Sequence, residues 1–363
     1  MTSFPMLEWA QALFDLPRSI TGQGTRDSLA YLKEREPSLE NWSVRSGTEV
    51  FDWTVPKEWN VKTAYLEHES GVRFADWKIN NLHLVNYSTP IDTVMSHEEL
   101  FPHLHSLPDQ PDRIPYITSY YHPRWGFCIS QNDLEQMPHG QYRVVIESEL
   151  SDGQLTGAHA LVTGEFSEEI LFSTNICHPM MANNELSGPV VQLALLLYLK
   201  DKYPNPRYSY RFVFAPETIG TLCYLNINYQ QMKQAIICGF VLSCIGDNRN
   251  YSMISSKYGN TMADVALVAA LDGHNPIIYS YLDRGSDERQ YNAPGIDLPV
   301  CGFSRSKYGT YPEYHTSADN FDVVTQSALE DSLAVLTGIV DTFEVGVFPQ
   351  TTVLGEPLLS RRG

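Results

Sequence analysis

No run of this chain approaches the roughly 18 continuous apolar residues that crossing a bilayer requires, and no Cys-x-x-Cys pair occurs in it. Basic residues are scarce: 25 Lys and Arg stand against 43 Asp and Glu, a formal net charge of −18. Each shortage excludes something. Without an apolar span, membrane insertion by a helix is not expected. A surface this anionic repels phosphate backbones and anionic lipid, so neither nucleic acid nor a membrane is an expected partner. The six cysteines (Cys128, Cys177, Cys223, Cys238, Cys244, Cys301) are scattered, several of them inside apolar runs. They read as buried thiols of a reducing compartment rather than a disulfide framework. The opening MTSFPMLEWAQALFDLPRS has no basic n-region and no continuous apolar h-region, so it does not read as a signal peptide. A cytoplasmic location is expected. Internal repeats and low-complexity segments are also lacking.

What is there is a globular composition, 43% hydrophobic and 12% aromatic over 363 residues, enough for one large domain or a domain with an insertion. Residues 5–35 read as helical, broken around LPRSITGQGTRDS by Gly22 and Gly24, with Thr25 or Asp27 available to cap the next helix. From about residue 47 the texture is short, β-branched and aromatic, interrupted by Pro, Asn and Gly. YRVVIESEL-SDG-QLTGAHALVTG predicts a hairpin turning at Ser151-Asp152-Gly153. From about 166 the rhythm becomes strand, loop, helix: EEILFSTNI, then GPVVQLALLLYLKDKY, YSYRFVFAP, GTLCYLNINYQQMKQ, AIICGFVLSCIG, TMADVALVAALDG, PIIYSYL, LPVCGFS and a long closing helix, TQSALEDSLAVLTGIVDTFEV. That alternation predicts an α/β fold with a mostly parallel sheet covered by helices on both sides. The expected organisation is an N-terminal helical part over 1–46, an inserted β-rich subdomain over 47–160, the α/β core over 161–350 and a tail over 351–363.

Sites in such sheets form at the carboxyl ends of the strands. Here those ends carry Cys177-His178-Pro179, Pro216-Glu217-Thr218, Asp247-Asn248-Arg249, the run Asp283 to Arg289, and RSKYGTYPEYHTSADN with Tyr314 and His315. Two histidines and several carboxylates at neighbouring strand ends are the ingredients of a zinc-type site. Each piece alone has an ordinary reading as a core histidine, a solvated loop acid or a turn cap.

Taken in order, the stretches LPRSITGQGTRDSL, FDWTVPKEWNV, IPYITSYYHPRWGFC, ICHPMMANNELSG, APETIGTLCYL, RGSDERQY and KYGTYPEYHTSADNF resemble the bacterial aminopeptidase-like family DUF4910, with its inserted DUF2172 domain, on the M28-type zinc-peptidase fold. The resemblance runs from about residue 12 to 325. Family members often continue into a winged helix, which is not present before Gly363. The resemblance implies an M28-like core and roles residue by residue. His178 and His315 match the metal-binding histidines, and Glu217 matches the general base. Tyr314 matches a tyrosine that faces the developing oxyanion. Two departures stand out. The acid that bridges two zinc ions in M28 peptidases is replaced by Asn184, with Glu185 beside it, and the second acid of the Glu-Glu pair is Thr218. A single zinc or other divalent ion is therefore expected rather than two, held by His178, His315, Glu185 and Asp247. At the rim, Arg284 and Arg289 could pair with a substrate carboxylate and Glu288 with an amine, the alternative being an internal salt-bridge network. Arg18 is a weaker candidate, and Tyr121 and Trp125 could wall the pocket or pack the core. The expected activity is hydrolysis of an amide in a small aminoacyl or peptide-like substrate through a metal-bound water, including removal of an aminoacyl group from a polysaccharide or natural-product intermediate. The competing function is a non-hydrolytic metal- or small-molecule-binding protein. A homo-oligomer is compatible with the sequence, which does not decide it.

Overall fold

The computed structural model describes residues 4–346, 355 and 358–361; most of the 351–363 tail lies outside the described residues. The strands used below are, in chain order, β1 (Glu40–Arg45), β2 (Glu58–His68), β3 (Arg73–Phe74), β4 (Ile91–Ser96), β5 (Gln141–Ser151), β6 (Gln154–Val162), β7 (Glu169–Asn175), β8 (Ser209–Ala215), β9 (Ile236–Leu242), β10 (Ser252–Ile254), β11 (Ile277–Tyr279) and β12 (Val300–Ser304). The helices are α1 (Met6–Phe14), α2 (Gln23–Arg35), α3 (Ser187–Lys202), α4 (Ile219–Ala235), α5 (Met262–Ala270) and α6 (Gln326–Val345).

Among the described residues, eight strands form the larger sheet in the order β1-β6-β8-β7-β9-β12-β10-β11. Its centre, β8-β7-β9-β12, is parallel. Outside it, β1, β6 and β8 pair antiparallel, as do β12 and β10, while the edge pair β10-β11 is parallel. The sheet is thus a parallel centre flanked by antiparallel pairings, more mixed than the strand-helix rhythm predicts. The apolar runs that encode the centre are buried along their whole length in β7 and β8, as strands covered on both faces must be. On one face Phe172 stacks between Phe212 and Phe240, ring centroids 5.5 and 5.4 Å apart, under α1, α3 and α6. On the other, Leu171, Val213 and Val241 pack with Tyr224, Leu225 and Met232. That alternation follows from the two-residue period of a strand.

The smaller sheet, β3-β2-β5-β4, is antiparallel and spans 58–96 and 141–151. The expected 141–162 hairpin does not form. The chain turns at Asp152-Gly153, but β5 pairs with β2 and β4, whereas β6 joins β1 and β8 in the larger sheet. The end of the β-rich segment therefore belongs to the larger sheet. Glu58 secures the corner by accepting the N–H of Gln154 at 3.1 Å and an Arg26 N–H at 2.6 Å. Close by, Ser46 and Gly153 bond to each other twice, Ser46 N–H to Gly153 O at 3.0 Å and Gly153 N–H to Ser46 Oγ at 3.2 Å.

Near the N-terminus α2 starts earlier than expected, at Gln23, so Thr25 and Asp27 lie inside it. Gly22 precedes it with φ +98°, and a Cβ on Gly24 would stand 2.2 Å from Pro17 O. Glycine is required at both places because the backbones touch. No helix among the described residues is long and apolar enough to cross a membrane.

Candidate active site

The parallel strands β7, β8 and β9 end side by side, and their loops carry the chemistry. The ladder continues one step beyond β7, through Ile176 N–H to Ala215 O at 3.1 Å, which sets the His178 loop against the Glu217 loop. Arg18, wholly buried, donates to His178 O at 3.1 Å. It braces the loop from behind and does not face a pocket. Burial brings its pKa down to about 10, opposed by Glu185.

The run Asn183-Asn184-Glu185 sits in a π-helical turn, Ala182–Leu186, that leads into α3. The wider turn fans three consecutive side chains towards three targets, a recurrent use of π-turns at functional sites. Asn183 donates to Asp247 at 3.0 Å and accepts from Gly246 N–H at 2.8 Å. Asn184 Oδ1 lies 2.9 Å from His315 Nε2. Glu185, without solvent exposure, accepts the N–H of Cys177 at 2.6 Å and of His178 at 3.1 Å through Oε2, and its Oε1 meets His178 Nδ1. The turn has no local side-chain cap. Its cap comes from far along the chain: Asp319 accepts the N–H of Asn183 at 2.6 Å and of Asn184 at 3.1 Å. Burial pushes Asp319 up to about 7 in spite of these bonds.

His178 Nδ1 is thus occupied by Glu185, and Nε2 faces Glu217 Oε2 at 3.9 Å. Burial alone would lower the His178 pKa, but Glu185 overrides it and the net shift is upward. The His315 ring is centred 5.2 Å from that of His178. Burial, with His178 adding to it, lowers His315 to about 3, so it is neutral at physiological pH. Tyr314 stacks on His315 at 3.9 Å. Its phenol is raised well out of the physiological range by burial and then by Glu217, and stays a proton donor. Tyr116 sets its ring edge-on to both histidines, at 4.8 and 5.3 Å. The segment carrying it clasps the His315 loop: Tyr116 N–H donates to His315 O at 2.9 Å and Ser317 N–H to Ile114 O at 2.9 Å.

Glu217 has 23% of its side chain exposed. Ser286 Oγ donates to its Oε1 at 2.9 Å, and Asn175 Nδ2 in turn donates to Ser286 Oγ at 3.1 Å. Burial raises Glu217 above the usual carboxylate range, with Glu185 adding and His178 opposing. The next residue, Thr218, has φ 62° and ψ −81°. For a β-branched residue this conformation is strained and must be held. Asp287 accepts the Thr218 N–H at 2.8 Å and the Thr221 hydroxyl at 2.7 Å, and Arg289 donates to Thr218 Oγ1 at 2.7 Å. Burial and then Glu217 push Asp287 up to about 8.

These groups open into a cavity of about 270 Å³ lined by Ile20, Trp53, Tyr120, Tyr121, Cys177 and His178, and by Glu217, Thr218, Ile219 and Arg289. Among the expected site residues, His178, Glu185, Glu217, Tyr314 and His315 come together, and Arg289 joins them at the mouth. Three do not. Asp247 directs its oxygens to Asn183, the N–H of Arg249 at 2.9 Å, and the N–H and hydroxyl of Ser306 at 3.0 and 2.9 Å. With four donors on one buried carboxylate, it organises loops rather than a metal. Glu288 is buried and accepts from Gly285 N–H at 2.9 Å, Ser286 N–H at 3.2 Å and the Tyr308 hydroxyl. It closes its own loop. Arg284 is exposed and lies over the Tyr281 ring at 4.5 Å. Trp125 stacks on His103 at 3.7 Å and does not line the cavity. Sequence reading missed Asp319, Ser286, Asn175 and Tyr116. The lack of a capping residue before ANNELSG was the one available hint of a distant cap.

The His178 and His315 rings lie 5.2 Å apart, the Asn184 amide oxygen is beside His315 Nε2, and Glu217 is beside His178 Nε2; Cys177, His178 and Glu185 also offer donor atoms within 4.8 Å of one another. Two imidazoles and an oxygen fit one ion of zinc type. Glu185 stands behind the ring of His178, an arrangement that fixes tautomer and ring orientation. Two ions fit poorly, because the amide of Asn184 carries no charge to bridge them and a guanidinium rests on Thr218.

Comparison with known proteins agrees with this architecture. The family described as "Domain of unknown function (DUF4910)" matches residues 7–346. A Clostridium acetobutylicum protein, named as a candidate polysaccharide biosynthesis protein with an aminopeptidase-like domain, is 41% identical over 358 residues, covering 97% of this chain and 81% of that protein. The crystal structure of a candidate peptidase from the same organism superposes with a TM-score of 0.90 at 40% identity, covering 99% of this chain and 84% of the other. A zinc aminopeptidase from Bacillus subtilis superposes at 0.66 with 13% identity, covering 93% and 94% of the two chains, a likeness of fold. The chain belongs to the DUF4910 family, on the α/β fold of the M28-type zinc aminopeptidases.

Proposed function

We propose that the protein is an aminopeptidase-like hydrolase that cleaves an amide in a small aminoacyl or peptide-like substrate, with Glu217 as general base. The observation that carries this reading is the state of Glu217. One oxygen is fixed by Ser286, the other faces His178 Nε2 at 3.9 Å, and burial raises its pKa at the floor of a cavity. An upward shift makes the carboxylate a better acceptor for a proton taken from water. One zinc ion, held by His178 and His315 with Asn184, would supply Lewis acidity towards the carbonyl and the attacking water. The protein's own groups do the rest. Glu217 takes the proton of the attacking water as its oxygen bonds to the amide carbon, and returns that proton to the nitrogen when the C–N bond breaks. The neutral phenol of Tyr314 donates to the carbonyl oxygen as it gains charge.

The domain and location readings join the same proposal. We take the smaller sheet and its loops as the inserted subdomain. The six cysteines, all free and buried, are consistent with the cytoplasm. The polysaccharide-biosynthesis name of the Clostridium relative favours an aminoacylated biosynthetic intermediate as substrate.

The test is Glu217→Gln assayed on aminoacyl amides with metal content and folding unchanged. Loss of about 10²- to 10⁴-fold is expected, and undiminished hydrolysis would remove Glu217 from the role. The competing reading, a binding protein on a peptidase fold, draws on Asn184 and Thr218. It gains if metal-loaded protein binds aminoacyl ligands but turns none over.

A further inference from the structure

The cavity mouth is built asymmetrically. On one side Trp53 and Tyr121 meet edge to face at 5.7 Å. They are 39% and 44% exposed, so both rings are available to a ligand. On the other side stands Arg289. Its Nη2 donates to the neutral hydroxyl of Thr218, and no carboxylate among the described residues lies within ion-pair distance of it. A guanidinium offers five donors in a planar fork, so most of this one remains unused beside the cavity. In a chain with 43 acidic residues against 25 basic ones, nearby acids are not lacking, and the loop spends its own on other tasks. Asp287 holds Thr218, and Glu288 closes 285–288.

Position narrows the ligand further. Thr218 directly follows Glu217, and the Glu217 carboxyl feels the Arg289 charge, so the guanidinium sits on the same side of the cavity as the base. The volume, about 270 Å³, is below the roughly 300–1,000 Å³ of pockets for drug-sized ligands. On the proposed hydrolase reading, we infer that Arg289 receives the free carboxylate of the residue on the leaving side of the scissile amide, while Trp53 and Tyr121 pack its side chain. The substrate class is then a dipeptide-like or aminoacyl–amino acid compound, with chain extension beyond that carboxylate disfavoured. Fork-on-carboxylate pairing gives the selectivity, since an amide in the same place cannot accept two charge-assisted bonds.

The experiment is calorimetric titration of metal-loaded Glu217→Gln protein, which holds substrate without turnover, with Leu-Phe and with its C-terminal amide. Arg289→Gln and Trp53→Ala are then added to that background. The expected result is a free acid that binds about tenfold tighter than the amide. Arg289→Gln abolishes that preference, Arg289→Lys keeps part of it, and Trp53→Ala weakens both ligands alike. Equal binding of acid and amide, a preference that survives Arg289→Gln, or no binding of either up to about 10 mM would overturn the inference. So would displacement of Leu-Phe by inorganic phosphate but not by acetate, which would assign Arg289 to a phosphate group. Because binding is read without hydrolysis, failure of the hydrolase reading shows separately, as absence of turnover in protein with Glu217 intact.

Discussion

Glu185 holds His178 at two points and the residue before it at a third: its Oε1 meets Nδ1, and its Oε2 accepts the backbone N–H of His178 and of Cys177. The imidazole is left with one free nitrogen, directed at Glu217. Replacing the carboxylate with the amide of Glu185→Gln puts a donor where only acceptors are wanted. A 10- to 100-fold loss of metal affinity is expected, the usual effect of removing a carboxylate behind a ligand histidine, measured by competition with a chromogenic chelator. Unchanged affinity would mean that His178 is oriented by its backbone alone.

Asp247 gives the opposite expectation. Its carboxylate satisfies four donors, one from its own loop and three from the Asn183 and Ser306 segments. Asp247→Asn must leave one of them facing an NH₂ group, at a cost of about 1–3 kcal/mol, while metal content stays the same. Denaturant titration and elemental analysis on one preparation separate the two effects. Loss of metal without loss of stability would restore Asp247 as a ligand.

Metal content should be about one zinc-type ion per chain, lost in both His178→Ala and His315→Ala. One precaution is needed. His97, Glu98 and His139 offer donor atoms within 4.8 Å of one another on the surface. The count should therefore be made in a His139→Ala background as well. Two ions surviving there would mean that Asn184 does not prevent a binuclear site.

Glu58 at the inter-sheet corner governs an acid transition. Burial would raise its pKa, but the hydrogen bonds from Arg26, the Gln154 N–H and Asn60 together outweigh it and bring it down to about 2. A depressed carboxylate contributes stability above its unfolded pKa, near 4.5, and loses that contribution as pH falls through the folded value. Glu58→Gln should therefore lower the Tm at pH 7 and converge with the wild type near pH 2. An equal deficit at both pH values would assign the effect to packing instead.

How much of this was legible in sequence depended on range. The strands of the parallel centre are continuous apolar runs, and their ends could be read directly, which brought out His178, Glu217 and His315. The tasks of the acids could not be read, because an acid's function lies with its partner. Asp247, Glu288 and Asp319 all sit in polar stretches and look alike in sequence. One gathers two loops, one closes its own, and one caps a turn 135 residues away. The 141–162 segment failed for a related reason. Alternation encodes a strand but not its neighbour, and β5 and β6 find theirs in different sheets.

The smaller sheet and its loops are joined to the larger one at the Ser46–Gly153 crossing, and a second time where 114–116 clasp 315–317. Attachments this far apart, with the Glu58 bonds to Gln154 and Arg26 beside the first, remove the freedom of a hinge. A pivot about the first would pull on the backbone of His315 through Tyr116. The aromatic rim and the imidazole pair therefore form one mechanical unit. A ligand that presses on Trp53 and Tyr121 loads the same framework that positions His315, with no swinging lid between them.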